Sequence, residues 1–208
     1  MEQKDDMGIL DRLEPAEMAG VLRHLMRRHP ELRAEAADIA RTILEDVDIA
    51  EVAGAVEHAL TSLDAYDLSQ RTGGHRYGYS EPTQAAWELL GEAVEQFRKQ
   101  MHRLHEAEFA DAAEKYCAGI LAGLVRARDY KGDGVLAWAS DFPEEEDSDC
   151  MSRFMGLYPL EQSRAAQQRV IKMVQDLFPE YDNYSGAASD ELAGLLAEAR
   201  AAKRNRDG

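Results

Sequence analysis

Residues 87–104 read WELLGEAVEQFRKQMHRL, and their apolar positions decide the fold class. Trp87, Leu90, Val94, Phe97, Met101 and Leu104 recur at alternating intervals of three and four residues, the spacing that lines one side of an α-helix. Ser80 and Pro82 stand just upstream as a cap and a first-turn proline, so the helix is expected to open there and to end at a kink near His105 to Glu108.

The same period continues on both sides. Upstream, a helix from Pro15 to Arg28 carries Met18, Val21, Leu22, Leu25 and Met26, and Pro30 opens a second with Leu32, Ile39, Ile43 and Val47. The link between them is so short that they are expected to form a helical pair. Asp48 and Glu51 have capping-box spacing and start a third helix, with Ile49, Val52, Val56, Leu60 and Leu63 inward. Downstream, Phe109, Ala113, Tyr116, Ile120 and Leu124 share one side of a helix that forms a long antiparallel hairpin with residues 87–104. Gly119 and Gly123 in that helix each cost about 1 kcal/mol against alanine, which predicts a close helix crossing there as compensation.

Asp141 and Glu144 are placed to cap a short acidic helix through Phe154, and a further helix after Pro159 puts Val170, Met173, Val174 and Leu177 inward before Pro179. Tyr181 to Ser189 reads as a loop, followed by a last helix with Leu192, Leu195 and Leu196 and a basic tail. All six prolines sit at helix edges. Only two stretches lose the period, Asp64 to Glu81 and Asp129 to Phe142, and no segment sustains the period of two that a strand requires. The expectation is therefore an all-α protein without significant sheet. Its residues 1–208 form a single domain of seven or eight amphipathic helices packed as hairpins, with flexible ends at 1–14 and 201–208.

Composition narrows the function classes. Hydrophobic residues at 45% and charged residues at 31% suit a folded globular chain. The start MEQKDDMGIL lacks the features of a signal peptide, and the longest apolar run, Cys117 to Val125, is far short of the roughly 20 residues of a membrane span. A cytoplasmic protein without membrane contact is expected, with Cys117 and Cys150 as free thiols. Forty acids against 24 bases give a net charge of −16, concentrated at residues 31–67 and 141–149. Such a field repels nucleic-acid backbones and favours cationic protein partners, while the acidic runs read as solvated faces.

No motif names a reaction. Gly-x-Ser-x-Gly and the phosphate-binding Gly-x4-Gly-Lys-Ser/Thr are absent. The DYKGDG stretch matches calcium-loop positions at Asp129, Asp133 and Gly134, yet Lys131 replaces one ligand and Ser140 stands where a bidentate glutamate belongs. His102 and His105, with Glu106 and Glu108 nearby, lack the spacing of a His-Glu-x-x-His site. No metal or cofactor is expected. The remaining candidate is the loop RTGGHRYGY, where Arg71, His75, Arg76, Tyr77 and Tyr79 would clamp an anionic or aromatic ligand or instead secure the loop on the acidic helices.

Trp87, Leu90, Gly91 and Val94 resemble the first-helix signature of a tetratricopeptide repeat, and Ala112 with Tyr116 resembles its second-helix element. The likeness spans about 35 residues and departs from the repeat in the long Trp87 to Ala112 spacing and the missing closing proline. The chain as a whole resembles bacterial all-helical proteins. The resemblance implies a helical-hairpin packing mode and a concave peptide-binding face with Trp87 among its contacts. Together these readings give a noncatalytic interaction module with a protein or peptide partner, the Arg71 to Tyr79 loop lying at the rim of its groove. The alternatives are a small-ligand binder or enzyme at that loop, and a homo-oligomer formed through the Leu192 to Leu196 helix.

Overall fold

A computed structural model of the chain describes residues 7–75, 78–179 and 181. Helices α1 (Met7–Leu10), α2 (Pro15–Arg28), α3 (Arg33–Glu45), α4 (Ile49–Thr61) and α5 (Ala65–Arg71) precede a ribbon of strands β1 (Gly73–His75) and β2 (Gly78–Ser80). Then follow α6 (Pro82–Glu106), α7 (Ala110–Arg128), α8 (Phe142–Met155) and α9 (Leu160–Leu177), with 3-10 turns at Pro30–Leu32 and Val135–Trp138. The protein is all-α, as the helical periods predict. No helix among the described residues is long and apolar enough to cross a membrane. The expected last helix, with Leu192, Leu195 and Leu196, and the tail 201–208 lie outside the described residues, as do residues 1–6.

Contacts divide the chain into two compact units, Met1–Glu45 and Asp46–Gly208. In the first, Glu14 N–H donates to the Glu17 carboxylate at 3.0 Å where α2 opens, and Arg33 Nε donates to the Met26 carbonyl at 3.1 Å across the turn into α3. No residue of α2 or α3 is buried.

The second unit is built around α7, whose residues Cys117 to Leu124 are all buried. Its small and apolar residues occur on every side, which suits a helix enclosed by neighbours. Helices α4, α6, α8 and α9 pack against it. The crossing expected at Gly119 and Gly123 is made with α4: a Cβ on Gly119 would fall 2.6 Å from Val52 Cβ, and one on Gly123 would fall 2.6 Å from Val56 Cβ and 2.7 Å from the Ala53 carbonyl oxygen. Helix α6 buries Leu90, Val94, Phe97, Met101 and Leu104 along its predicted stripe. The kink expected near His105 is a chain reversal, in which Glu108 N–H donates to His105 O at 3.0 Å and Phe109 N–H to Leu104 O at 2.9 Å.

Three local expectations are corrected. The stretch Asp64 to Glu81 is not one irregular segment. Asp64 accepts from Tyr66 N–H (2.7 Å) and Asp67 N–H (3.1 Å) while Asp64 N–H donates to Asp67 (2.9 Å), a reciprocal cap that starts α5. The glycines that follow admit a short antiparallel ribbon pairing Gly73 with Ser80, Gly74 with Tyr79 and His75 with Gly78. Asp141 makes no side-chain cap for α8, which begins instead at Phe142 with Pro143 in its first turn. The acidic run of α8 is not wholly solvated either, because Glu146 and Asp147 are buried.

Candidate functional site

The Arg71 to Tyr79 loop was the foremost site expected from sequence, and Arg71 is already engaged. Its guanidinium grips the Glu92 carboxylate with both Nη atoms, Nη1 at 2.9 Å from Oε1, and ties the end of α5 to α6. Hydrogen bonding from Arg71 holds the Glu92 carboxyl below its usual range. His75 and Tyr79 are located by backbone register in β1 and β2, while Arg76 and Tyr77 lie outside the described residues. Trp87 sits on α6 but turns toward the core, its ring edge-on to Phe142 with centroids 5.0 Å apart. Arg71 thus makes a contact from α5 to α6, and Trp87 one from α6 to α8.

A polar cluster that the periodic reading assigned to solvent occupies the core instead. Asp147, 1% exposed, accepts from Tyr181 Oη at 2.8 Å and from Arg128 Nη2 at 2.7 Å. Burial outweighs both partners and raises its carboxyl to about 7. Glu146 accepts from Arg98 Nη1 at 2.8 Å, and burial likewise raises it to about 7 against the Arg98 charge. On α7, Glu114 is gripped by Arg169 Nε at 2.7 Å and accepts from Tyr158 Oη at 3.1 Å. Burial and then Glu114 push the Tyr158 hydroxyl upward, so it stays a donor. Cys117 lies within hydrogen-bonding reach of Cys150, and burial pushes its thiol well up, which keeps it protonated and unreactive.

A helical pattern could have located these acids: Glu146 and Asp147 fall on the stripe of Pro143, Cys150, Met151 and Phe154. Tyr181, expected in a loop, carried no period because it lies beyond the end of α9 at Leu177. Two carboxyls of the cluster are raised toward neutrality, yet both are enclosed and bonded to protein cations, an arrangement of structural ion pairs. Among the described residues, no group of three or more His, Cys, Asp or Glu side chains is arranged to hold a metal ion. His105, one of the histidines considered for that role, stacks edge-on against Tyr158 at 4.7 Å.

The solvent side offers a different arrangement. The 3-10 turn carrying Trp138 is held beside the start of α5 by a hydrogen bond from Val135 N–H to the Leu63 carbonyl, 3.0 Å. Trp138 is 51% exposed and Tyr66, in the first turn of α5, 68% exposed. Carboxylates neighbour both in the chain: Asp64 and Asp67 on either side of Tyr66, and Asp141, Glu144 and Glu145 after Trp138. Lys131 is the only base between Asp129 and Asp149. No family model matches the chain, and neither a curated protein nor a solved structure is significantly similar to it.

Proposed function

We propose that this protein is a noncatalytic helical interaction module whose second unit binds a cationic segment of a protein partner on the surface that carries Trp138 and Tyr66. The exposure of Trp138 carries this reading. An indole left half in water forfeits the gain from its burial, and solvent-facing aromatics with a polar rim are a mark of recognition surfaces. Acids neighbour both rings in the sequence, so lysine or arginine side chains would meet carboxylates at their heads and the rings by cation–π contact. Engagement of Arg71 by Glu92 gives no support to the alternative of an anion clamp at the ribbon.

Oligoarginine and oligolysine peptides, with a neutral peptide of equal length as control, provide the test. We expect binding at low ionic strength with a change in tryptophan fluorescence. Replacing Trp138→Ala with Tyr66→Ala leaves the charge untouched and should weaken affinity about tenfold. Equal affinity of parent and double variant would reduce the interaction to unspecific charge attraction and remove the proposal.

A further inference from the structure

The first unit raises a problem of its own. Helices of 13 and 14 residues are marginal in water unless an apolar face is covered, yet within this unit nothing on α2 or α3 is buried. Two complementary features remain open on it. Along α2, Gly20, Val21, His24, Leu25, Arg28 and His29 line a mostly apolar groove of about 430 Å³. A Cβ added to Gly20 would meet nothing within 4 Å, so the groove is open at that point. Its surroundings are cationic, since α2 holds Arg23, Arg27 and Arg28 against Glu17 alone. Along α3, Ile39 and Ile43 stand one turn apart and are 54% and 68% exposed, and the acids Glu35, Asp38 and Glu45 outnumber Arg33 and Arg41.

We infer that the occupant of this groove is a second copy of the chain: the Ile39–Ile43 edge of α3 in one copy docks into the α2 groove of the other, and the reverse contact closes a two-fold pair. The charges select this occupant. An apolar groove on a net-basic helix fits an apolar ridge on a helix with an excess of one acid, where Arg41 pairs with Asp38, and one chain carries both halves. Two-fold symmetry then satisfies two grooves and two edges at once, whereas a single foreign helix would leave the α3 edge exposed. The chain as a whole carries a net charge of −16, so a second copy is drawn to the cationic helix α2. This inference concerns the first unit and is independent of the peptide surface on the second.

Sedimentation of the full chain over a concentration series tests it. The parent is expected to pass from monomer to twice the monomer mass and no further. Ile39→Glu with Ile43→Glu should weaken the pair at least about tenfold, as should Gly20→Leu, which fills the groove from the opposite side of the contact. Both variants alter solvent-facing positions, and unchanged far-UV circular dichroism would show that the helices persist. A mixture of the two variants provides a second reading, because one intact groove and one intact edge then meet and association partly returns. A parent that stays monomeric at high concentration overturns the inference. So does a dimer that neither variant weakens, since its interface must lie elsewhere.

Discussion

Glu108 is the residue at which local conformation and side-chain chemistry disagree. Its φ of 68° lies in the left-handed region, where a Cβ is disfavoured. The hydrogen bonds from Glu108 N–H and Phe109 N–H back into α6 define a helix end that glycine usually occupies, and they hold the residue there. Glu108→Gly should relieve the strain, stabilise the protein by about 1 kcal/mol and raise its melting temperature by a few degrees. A thermal melt of the variant checks this, and a fall in melting temperature would mean that the left-handed turn is not the native conformation. The kink itself was legible because the apolar stripe of α6 stops at Leu104 and restarts at Phe109. Its hand was not, because a glutamate at this position carries no turn signature.

At the scale of elements, the α4–α7 crossing sets how closely the second unit packs. Gly119 and Gly123 place the α7 backbone against Val52 and Val56 of α4, with the Ala53 carbonyl 2.7 Å from where a Gly123 Cβ would be. Gly123→Ala must therefore push backbone as well as side chains, and its gain in helix propensity is outweighed. We expect a net loss of about 1–3 kcal/mol, read from a urea unfolding midpoint, with far less effect from Gly91→Ala on α6, where a Cβ meets nothing within 4 Å. Equal effects of the two substitutions would contradict the crossing. Spacing alone announced that a helix must approach these glycines, since two helix-weakening residues four apart share one face. The partner could not be read that way, because several apolar stripes competed for the place and only packing chose α4. The ribbon at residues 73–80 escaped the periodic reading for a simpler reason, since three residues per strand are too few to display a period.

The whole molecule carries a pH signature through its buried carboxylates. Glu146 and Asp147 titrate near 7 in the folded protein and near 4 when unfolded. Between these values the native state holds protons that the unfolded chain has released, so stability falls as pH rises. Their contribution is present in full below about pH 4 and is lost as the pH climbs through 7. The groups facing them are Arg98, Arg153 and Asp149 around Glu146, and Arg128, Tyr181 and Glu144 around Asp147. From about pH 5 to pH 8 the loss should be on the order of 1–3 kcal/mol, and Glu146→Gln with Asp147→Asn should flatten the profile. A parent whose melting temperature is the same at both pH values would show that these acids remain ionised in the core.

Sequence by itself determined the all-α class, the main helices with their inward stripes, and the small-residue face of α7. Each depends on local spacing, which one turn of helix translates directly into a direction. Tertiary structure decided which charged groups are enclosed, that Arg71 is engaged by Glu92, that Trp87 faces Phe142 while Trp138 faces water, and that α2 and α3 bury no residue of their own. Those outcomes depend on residues tens of positions apart meeting in space, and their burial is set by what packs around them rather than by their own identity.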